Sequence, residues 1–146
     1  MSGESIIKFL DLEAINKRFT NQFKDSFDKF LKQPWVVLSD ELKSFERNFA
    51  SYLDVKHCVG VGNGLDALEI VLSCWNIGNG DEVIVPSNTY IATWLAITRV
   101  GAVPIPVEPD INTFNIAPER IEEKITDKTR AILVVHLYGL PCDMKK

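Results

Sequence analysis

The sequence predicts an α/β domain, a mostly parallel β-sheet with helices on both faces, preceded by two N-terminal helices. Three observations predict it. From residue 57 onward, strand-like and helix-like runs alternate, as they do in βαβ units. The strand-like runs VIV (Val83–Val85) and AILVV (Ala131–Val135) are continuously apolar, as expected of strands buried on both faces. The stretch 57–66, HCVGVGNGLD, runs from an apolar segment through a glycine-rich turn into a helix start.

The two leading helices are read from spacing. Ile15, Phe19, Phe23, Phe27 and Phe30 recur at intervals of four, four, four and three, with charged residues between them. This is one amphipathic helix with an aromatic stripe. Such a stripe packs on the domain's own core or meets a partner. A second helix starts after Ser39, an N-cap followed by Asp40 and Glu41 in the positive first turn. It is expected to bury Leu42, Phe45, Phe49 and Leu53, and Gln33–Leu38, with Pro34 and Trp35, separates the two helices.

Beyond residue 57, strands are predicted at Cys58–Val61, Glu82–Pro86, Val103–Val107 and Arg130–His136, with helices at about 65–76, 90–100 and 118–124. Gly78-Asn79-Gly80-Asp81 turns the first of these helices into a strand, Gly101 ends the second, and Pro118 opens the third. Right-handed crossovers place the strand C-termini on one edge, where ligands of such sheets bind. Gly62–Asp66, Ser87–Tyr90, Glu108–Asp110 and His136–Tyr138 therefore converge on one rim.

The glycine-rich turn suits a phosphate, because a strand–glycine–helix junction aims backbone N–H groups at an anion. A dinucleotide fingerprint fails. G-x-G-x-x-G has Leu65 at its third glycine, and the acids Asp81 and Glu82 sit at the start of the second strand rather than its end. G-x-x-x-x-G-K-[ST] is absent.

Composition bounds the rest. The 146 residues are 46% hydrophobic with seven prolines, enough to bury a core. A formal charge of −4 with scattered Lys and Arg gives no footprint for nucleic acid. MSGESIIKFLDLE has early acids and no long apolar run, so it reads as no signal peptide, and no stretch is long enough to span a bilayer. Cys58, Cys74 and Cys142 match neither a zinc pattern nor a disulfide framework, so no metal site is expected and a reduced, cytoplasmic setting is.

Other polar residues at the rim have ordinary readings beside the chemical ones. Tyr90 is placed to stack on a planar ring, or to pack on the sheet edge. Asn88 and Thr89 read as caps of the helix that follows, Glu108 and Asp110 as a solvated turn, and His57 and His136 as structural, although His136 is placed where a base could stand. Cys142 has no activating base evident nearby. The lysines Lys8, Lys17, Lys24, Lys29, Lys32, Lys43, Lys56, Lys124 and Lys128 fall on polar helix faces, in turns or at the wrong edge. None is placed to form a Schiff base at the rim.

Five motifs in register carry a family resemblance: FLDL (Phe9–Leu12), GVGNGLDAL (Gly60–Leu68), GDEVIVPSNTYIAT (Gly80–Thr93), GAVPIPVE (Gly101–Glu108) and HLYGLPCDM (His136–Met144). Together they resemble the pyridoxal-phosphate-dependent nucleotide-sugar aminotransferases of the DegT/DnrJ/EryC1/StrS group. GNGLDAL with PSNTYIAT looks most like enzymes acting on the 3-keto group of a dTDP-linked 6-deoxyhexose, for surface polysaccharides such as O-antigen. The resemblance implies the front part of a fold type I (aspartate-aminotransferase) large domain. Its boundaries are an N-terminal helical segment, 1–56, and an incomplete α/β cofactor-binding domain, 57–146. It implies pyridoxal 5'-phosphate held at Asn63, Gly64, Leu65 and Asp66, mainly by backbone amides, with Tyr90 stacked on its ring. Many relatives carry a hydroxyl residue where Leu65 stands. It also implies a nucleotide-sugar substrate, an amino-acid donor such as glutamate, and a homodimer. The cofactor-bearing lysine and the acid that pairs with the ring nitrogen are expected beyond Lys146, so these residues read as an inactive front part of a longer protein. Two other readings stand beside this one: a truncated phosphate- or partner-binding module, and a sugar dehydratase using the same cofactor.

Overall fold

A computed structural model describes residues 7–146, so the first six residues of the N-terminal segment lie outside the described part. The chain forms two compact units, Met1–Gly60 and Val61–Lys146.

The first unit is helical. The single aromatic-striped helix expected over 15–30 is two helices, α1 (Leu12–Lys17) and α2 (Thr20–Leu31). The break has a local cause. The Thr20 hydroxyl donates to the Lys17 carbonyl at 3.1 Å, and the Phe19 N–H closes a tight turn onto Asn16 at 3.0 Å. That carbonyl is thus met by a side chain close to where the helix would continue. The stripe is not packed in a core: Ile15, Phe19, Phe23, Phe27 and Phe30 are all exposed. α3 (Asp40–Tyr52) begins at Ser39 with Asp40 and Glu41 in its first turn, as expected, although the Ser39 hydroxyl makes no capping bond. Its expected buried face is open. Only Ala50 is buried, Leu42 is half-buried, and Phe45, Phe49 and Leu53 are exposed, with Phe45 stacked on Phe49 at 5.5 Å. Helical spacing identifies an apolar face, but burial needs a second layer, and none covers this face among the described residues of the unit.

The expected first strand, Cys58–Val61, forms no ladder among the described residues. The Gly60 N–H is instead taken by the Glu46 carboxylate at 2.8 Å, so a side chain occupies a donor that a strand neighbour would use.

The second unit is a three-stranded parallel sheet. α4 (Gly64–Cys74) leads through a turn into β1 (Glu82–Pro86), then α5 (Ile91–Arg99), β2 (Val103–Val107) and β3 (Thr129–Ile132). Strand order is β2-β1-β3, with Glu82 paired to Val103 and to Thr129. β1 is central and buried on both faces, as its unbroken apolar run predicts. Val83 and Val85 face a cluster with Leu72, Ile77, Ala96, Ile97 and Ala102, supplied by α4, α5 and their turns. Ile84 faces the other way, onto Val107, Ile116 and Cys142. Each such fully buried aliphatic side chain contributes about 1.5–3 kcal/mol. Gly101 sits at φ 86°, where only glycine is unstrained, and ends the α5 segment as expected.

Cover on the second face is shorter than the helix predicted at 118–124. Pro118–Arg120 and Glu122–Lys124 are two single 3₁₀ turns. Pro118 does open the first of them, but Ile125 returns to extended backbone at ψ 130°, leaving no length for α-helical pairing. The ladder of β3 stops at Ile132, and one further bond, Leu133 N–H to the Ile84 carbonyl at 2.8 Å, extends it. No helix among the described residues is long and apolar enough to cross a membrane.

Candidate functional site

The start of α4 is built by Asn63. Its Oδ1 accepts the Asp66 N–H at 3.0 Å, and its Nδ2 donates to the Asp66 carboxylate at 3.0 Å. Ala67 N–H reaches the Asn63 carbonyl at 3.2 Å. The N–H groups of Gly64 and Leu65 have no acceptor among the described residues, and they stand at the positive end of an 11-residue helix. A Cβ built on Gly64 meets nothing within 4 Å, so the approach to those donors is open. A Cβ on Gly62 would lie 2.8 Å from Asp66 Oδ2, so glycine there protects the Asn63–Asp66 pairing.

Tyr90 is the N-cap residue of α5 and is 76% exposed. Leu65 in the first turn of α4 and Trp94 in α5 pack on the same cluster as Val83 and Val85. The two helix starts therefore share one patch of the sheet, at the end where β1 terminates.

Neighbouring residues depart from their expected roles. Asn88 does not cap α5: its Nδ2 donates to the Phe114 carbonyl at 2.9 Å, tying the loop after β1 to the loop after β2. Thr89 pairs with Thr93, hydroxyl to hydroxyl, at 2.8 Å. Asp110 makes the expected turn, accepting the N–H groups of Asn112 and Thr113 at 2.9 Å each. These backbone donors, Thr113 first, hold its carboxyl below the usual carboxylate range.

His136 and Cys142 are closer than the sequence indicates. The Cys142 N–H donates to His136 Nδ1 at 3.0 Å, so the imidazole carries its proton on Nε2. The Cys142 thiol is buried and donates to the Val135 carbonyl at 3.1 Å, which keeps it out of reach of any rim ligand.

Asn115 is a residue that sequence reasoning passed over. It is buried, and its Oδ1 accepts the Leu137 N–H at 3.1 Å while its Nδ2 donates to the Leu140 carbonyl at 2.9 Å. It clamps the HLYGL loop to the loop after β2. Its only sequence signal is a polar residue held between apolar neighbours in TFNIA. All lysines among the described residues are exposed.

Comparison with known proteins places this geometry in a family. Residues 17–146 match the DegT/DnrJ/EryC1/StrS aminotransferase family. The chain is 56% identical over 140 residues to dTDP-3-amino-3,6-dideoxy-alpha-D-galactopyranose transaminase of Aneurinibacillus thermoaerophilus, covering 96% of this chain and 39% of that one. The crystal structure of DesV from S. venezuelae superimposes with a TM-score of 0.91 at 45% identity, over 95% of this chain and 38% of that one. NtdA of Bacillus subtilis, solved with bound cofactor PMP, gives a TM-score of 0.82 at 33% identity, over 99% and 34% of the two chains. This chain thus spans well under half the length of the relatives it matches.

Proposed function

Because the chain belongs to the DegT/DnrJ/EryC1/StrS aminotransferase family, we propose that its protein transfers an amino group from an amino acid, glutamate foremost, to a keto sugar nucleotide. The substrate proposed is a dTDP-3-keto-6-deoxyhexose, and the product an amino sugar for surface polysaccharide. The observation that carries this reading is the 56% identity to a dTDP-3-amino-3,6-dideoxyhexose transaminase across 96% of the chain.

The residues fit pyridoxal 5'-phosphate. Two unpartnered helix N–H groups, at Gly64 and Leu65, face open space, and an exposed aromatic, Tyr90, begins the neighbouring helix. Gly64 and Leu65 would hold the phosphate oxygens through their backbone amides. Asn63 would keep the first turn open to the anion by tying down the Asp66 amide and carboxylate. Tyr90 would lie against the ring and fix its tilt. Bound pyridoxal phosphate supplies the electron sink through which amino groups are exchanged. A homodimer and a cytoplasmic setting complete the proposal, and the open stripe of α2 is available for such pairing.

One observation favours a second reading for these 146 residues alone. With every described lysine exposed, they would act as a phosphate-binding module without turnover. The deciding assay expresses the protein from its native reading frame and supplies glutamate with dTDP-3-keto- or dTDP-4-keto-6-deoxyhexose. Product aminated at C3 is expected. Amination at C4 alone would refute the regiochemistry, and dehydration without amination would favour a dehydratase.

A further inference from the structure

A second cavity opens on the same rim, away from the α4 start. It has a volume of about 580 Å³, and its lining includes Asn88, Asn112, Phe114, Leu137 and Tyr138. These residues follow β1, β2 and β3 respectively, so all three strand ends contribute, and the volume lies within the range of small-molecule sites.

Two of its aromatics are held in an unusual backbone state. Phe114 has φ 57° and Tyr138 φ 51°, the left-handed region that large side chains disfavour. Each is locked in place. Phe114 N–H bonds to the Asp110 carbonyl at 2.8 Å and its carbonyl accepts from Asn88, while Asn115 clamps Leu137 and Leu140 on either side of Tyr138. Packing does not repay this geometry, because Phe114 is 55% and Tyr138 99% exposed. Such strain at two residues lining one cavity marks a site.

The lining is also without charge: asparagines, threonine, leucines and the two aromatics. A diphosphate has no cation to meet there. The lining matches a neutral planar ring with a polar edge. The aromatic faces can stack on it, and Asn88 Oδ1 and the Asn112 side-chain amide, unpartnered among the described residues, present an acceptor and a donor to that edge.

We propose that this cavity seats the pyrimidine base of the sugar nucleotide, with Phe114 and Tyr138 as its stacking residues and Asn88 and Asn112 reading its edge. This rests on the sugar-nucleotide reading above and adds to it the place where the nucleotide is recognised.

The test titrates the 146-residue chain with dTDP, following saturation-transfer NMR and calorimetry, for the parent and for Tyr138→Ala, Tyr138→Phe and Phe114→Ala. Thymine H6 and methyl protons should receive the strongest saturation. Tyr138→Ala should weaken dTDP binding about tenfold, and Tyr138→Phe, which keeps the ring face, should not. Inorganic pyrophosphate should leave the thymine signals in place. Circular dichroism checks each variant's fold, and Tyr138→Gly, which tolerates the left-handed backbone, replaces any alanine variant that unfolds. Saturation confined to the ribose, or dTDP affinity unchanged in all aromatic variants, overturns the proposal, as does absence of dTDP binding by the parent. Titration with pyridoxal phosphate separates the two readings. If the cofactor binds and Tyr138→Ala leaves dTDP affinity unchanged, the base site falls while the aminotransferase reading stands. If the parent binds neither, both fall.

Discussion

Asn63 and Asp66 hold each other through two hydrogen bonds, amide oxygen to backbone N–H and amide nitrogen to carboxylate, each 3.0 Å long. The pairing consumes the third N–H of α4 and leaves those of Gly64 and Leu65 unspent. A helix start with an internal cap and two free donors can bind an anion without losing its own terminus.

Stability and cofactor affinity should therefore separate at adjacent positions. Asn63→Ala removes the cap and should cost about 0.5–2 kcal/mol in urea unfolding. Gly64→Val, whose Cβ meets nothing within 4 Å, should change stability by about 0.5 kcal/mol or less. It should nevertheless weaken pyridoxal phosphate binding, because the added methyls stand before the free donors. An unchanged cofactor affinity in a spectroscopic titration of Gly64→Val would remove the phosphate assignment.

Tyr90 should behave as a ligand contact rather than a core residue. At 76% exposure it has little packing to lose. Tyr90→Ala should leave the unfolding midpoint nearly unchanged and weaken cofactor binding by about 0.5–1.5 kcal/mol, while Tyr90→Phe retains affinity. If both variants bind pyridoxal phosphate like the parent, the residue has no stacking role.

Asp110 supplies a pH dependence with a definite sign. The backbone N–H groups of Thr113 and Asn112 lower its folded-state pKa. A carboxyl lowered on folding contributes stability above its unfolded value of about 3.9, and that contribution is lost as the pH falls further, through the folded value. Asp110→Asn should therefore flatten the fall in stability below about pH 4 and leave its slope near pH 7 as it is. Acid unfolding curves of parent and variant that remain parallel below pH 4 would contradict this.

The 146-residue chain by itself should not transaminate. A carbonyl cofactor needs a lysine within bonding reach, and every described lysine is exposed on a helix, turn or terminus. Incubation with pyridoxal phosphate, glutamate and a keto sugar nucleotide should yield no amino sugar. Turnover would mean that one of these lysines reaches the cofactor.

Local signals made much of the fold legible. Ser39 and Asn63 each precede a helix, Gly101 takes the turn that only glycine takes freely, and the apolar run through β1 announces a strand covered twice. What escaped depends on distant partners. Phe45 and Phe49 lie at helical spacing yet are exposed, because periodicity describes a face and not its cover. The break at Arg18–Phe19 turns on one hydroxyl, Thr20, choosing a backbone carbonyl. Asn115 was illegible because its two partners, Leu137 and Leu140, lie more than twenty residues further on. The same holds for Asn88, which reads as a cap and instead reaches Phe114.

The order β2-β1-β3 puts the first strand of the sheet in its middle. On the ribosome, β1 emerges before either neighbour exists, with both faces apolar and both backbone edges unmet. Its last partner, β3 at Thr129–Ile132, follows more than forty residues later, which at about 5–20 residues/s is an interval of seconds. Parallel neighbours cannot form from a local hairpin, so no nearby segment shortens that wait. A nascent chain of this protein is thus a client for chaperones during translation, and a synonymous codon that slows elongation between β1 and β3 lengthens its exposure.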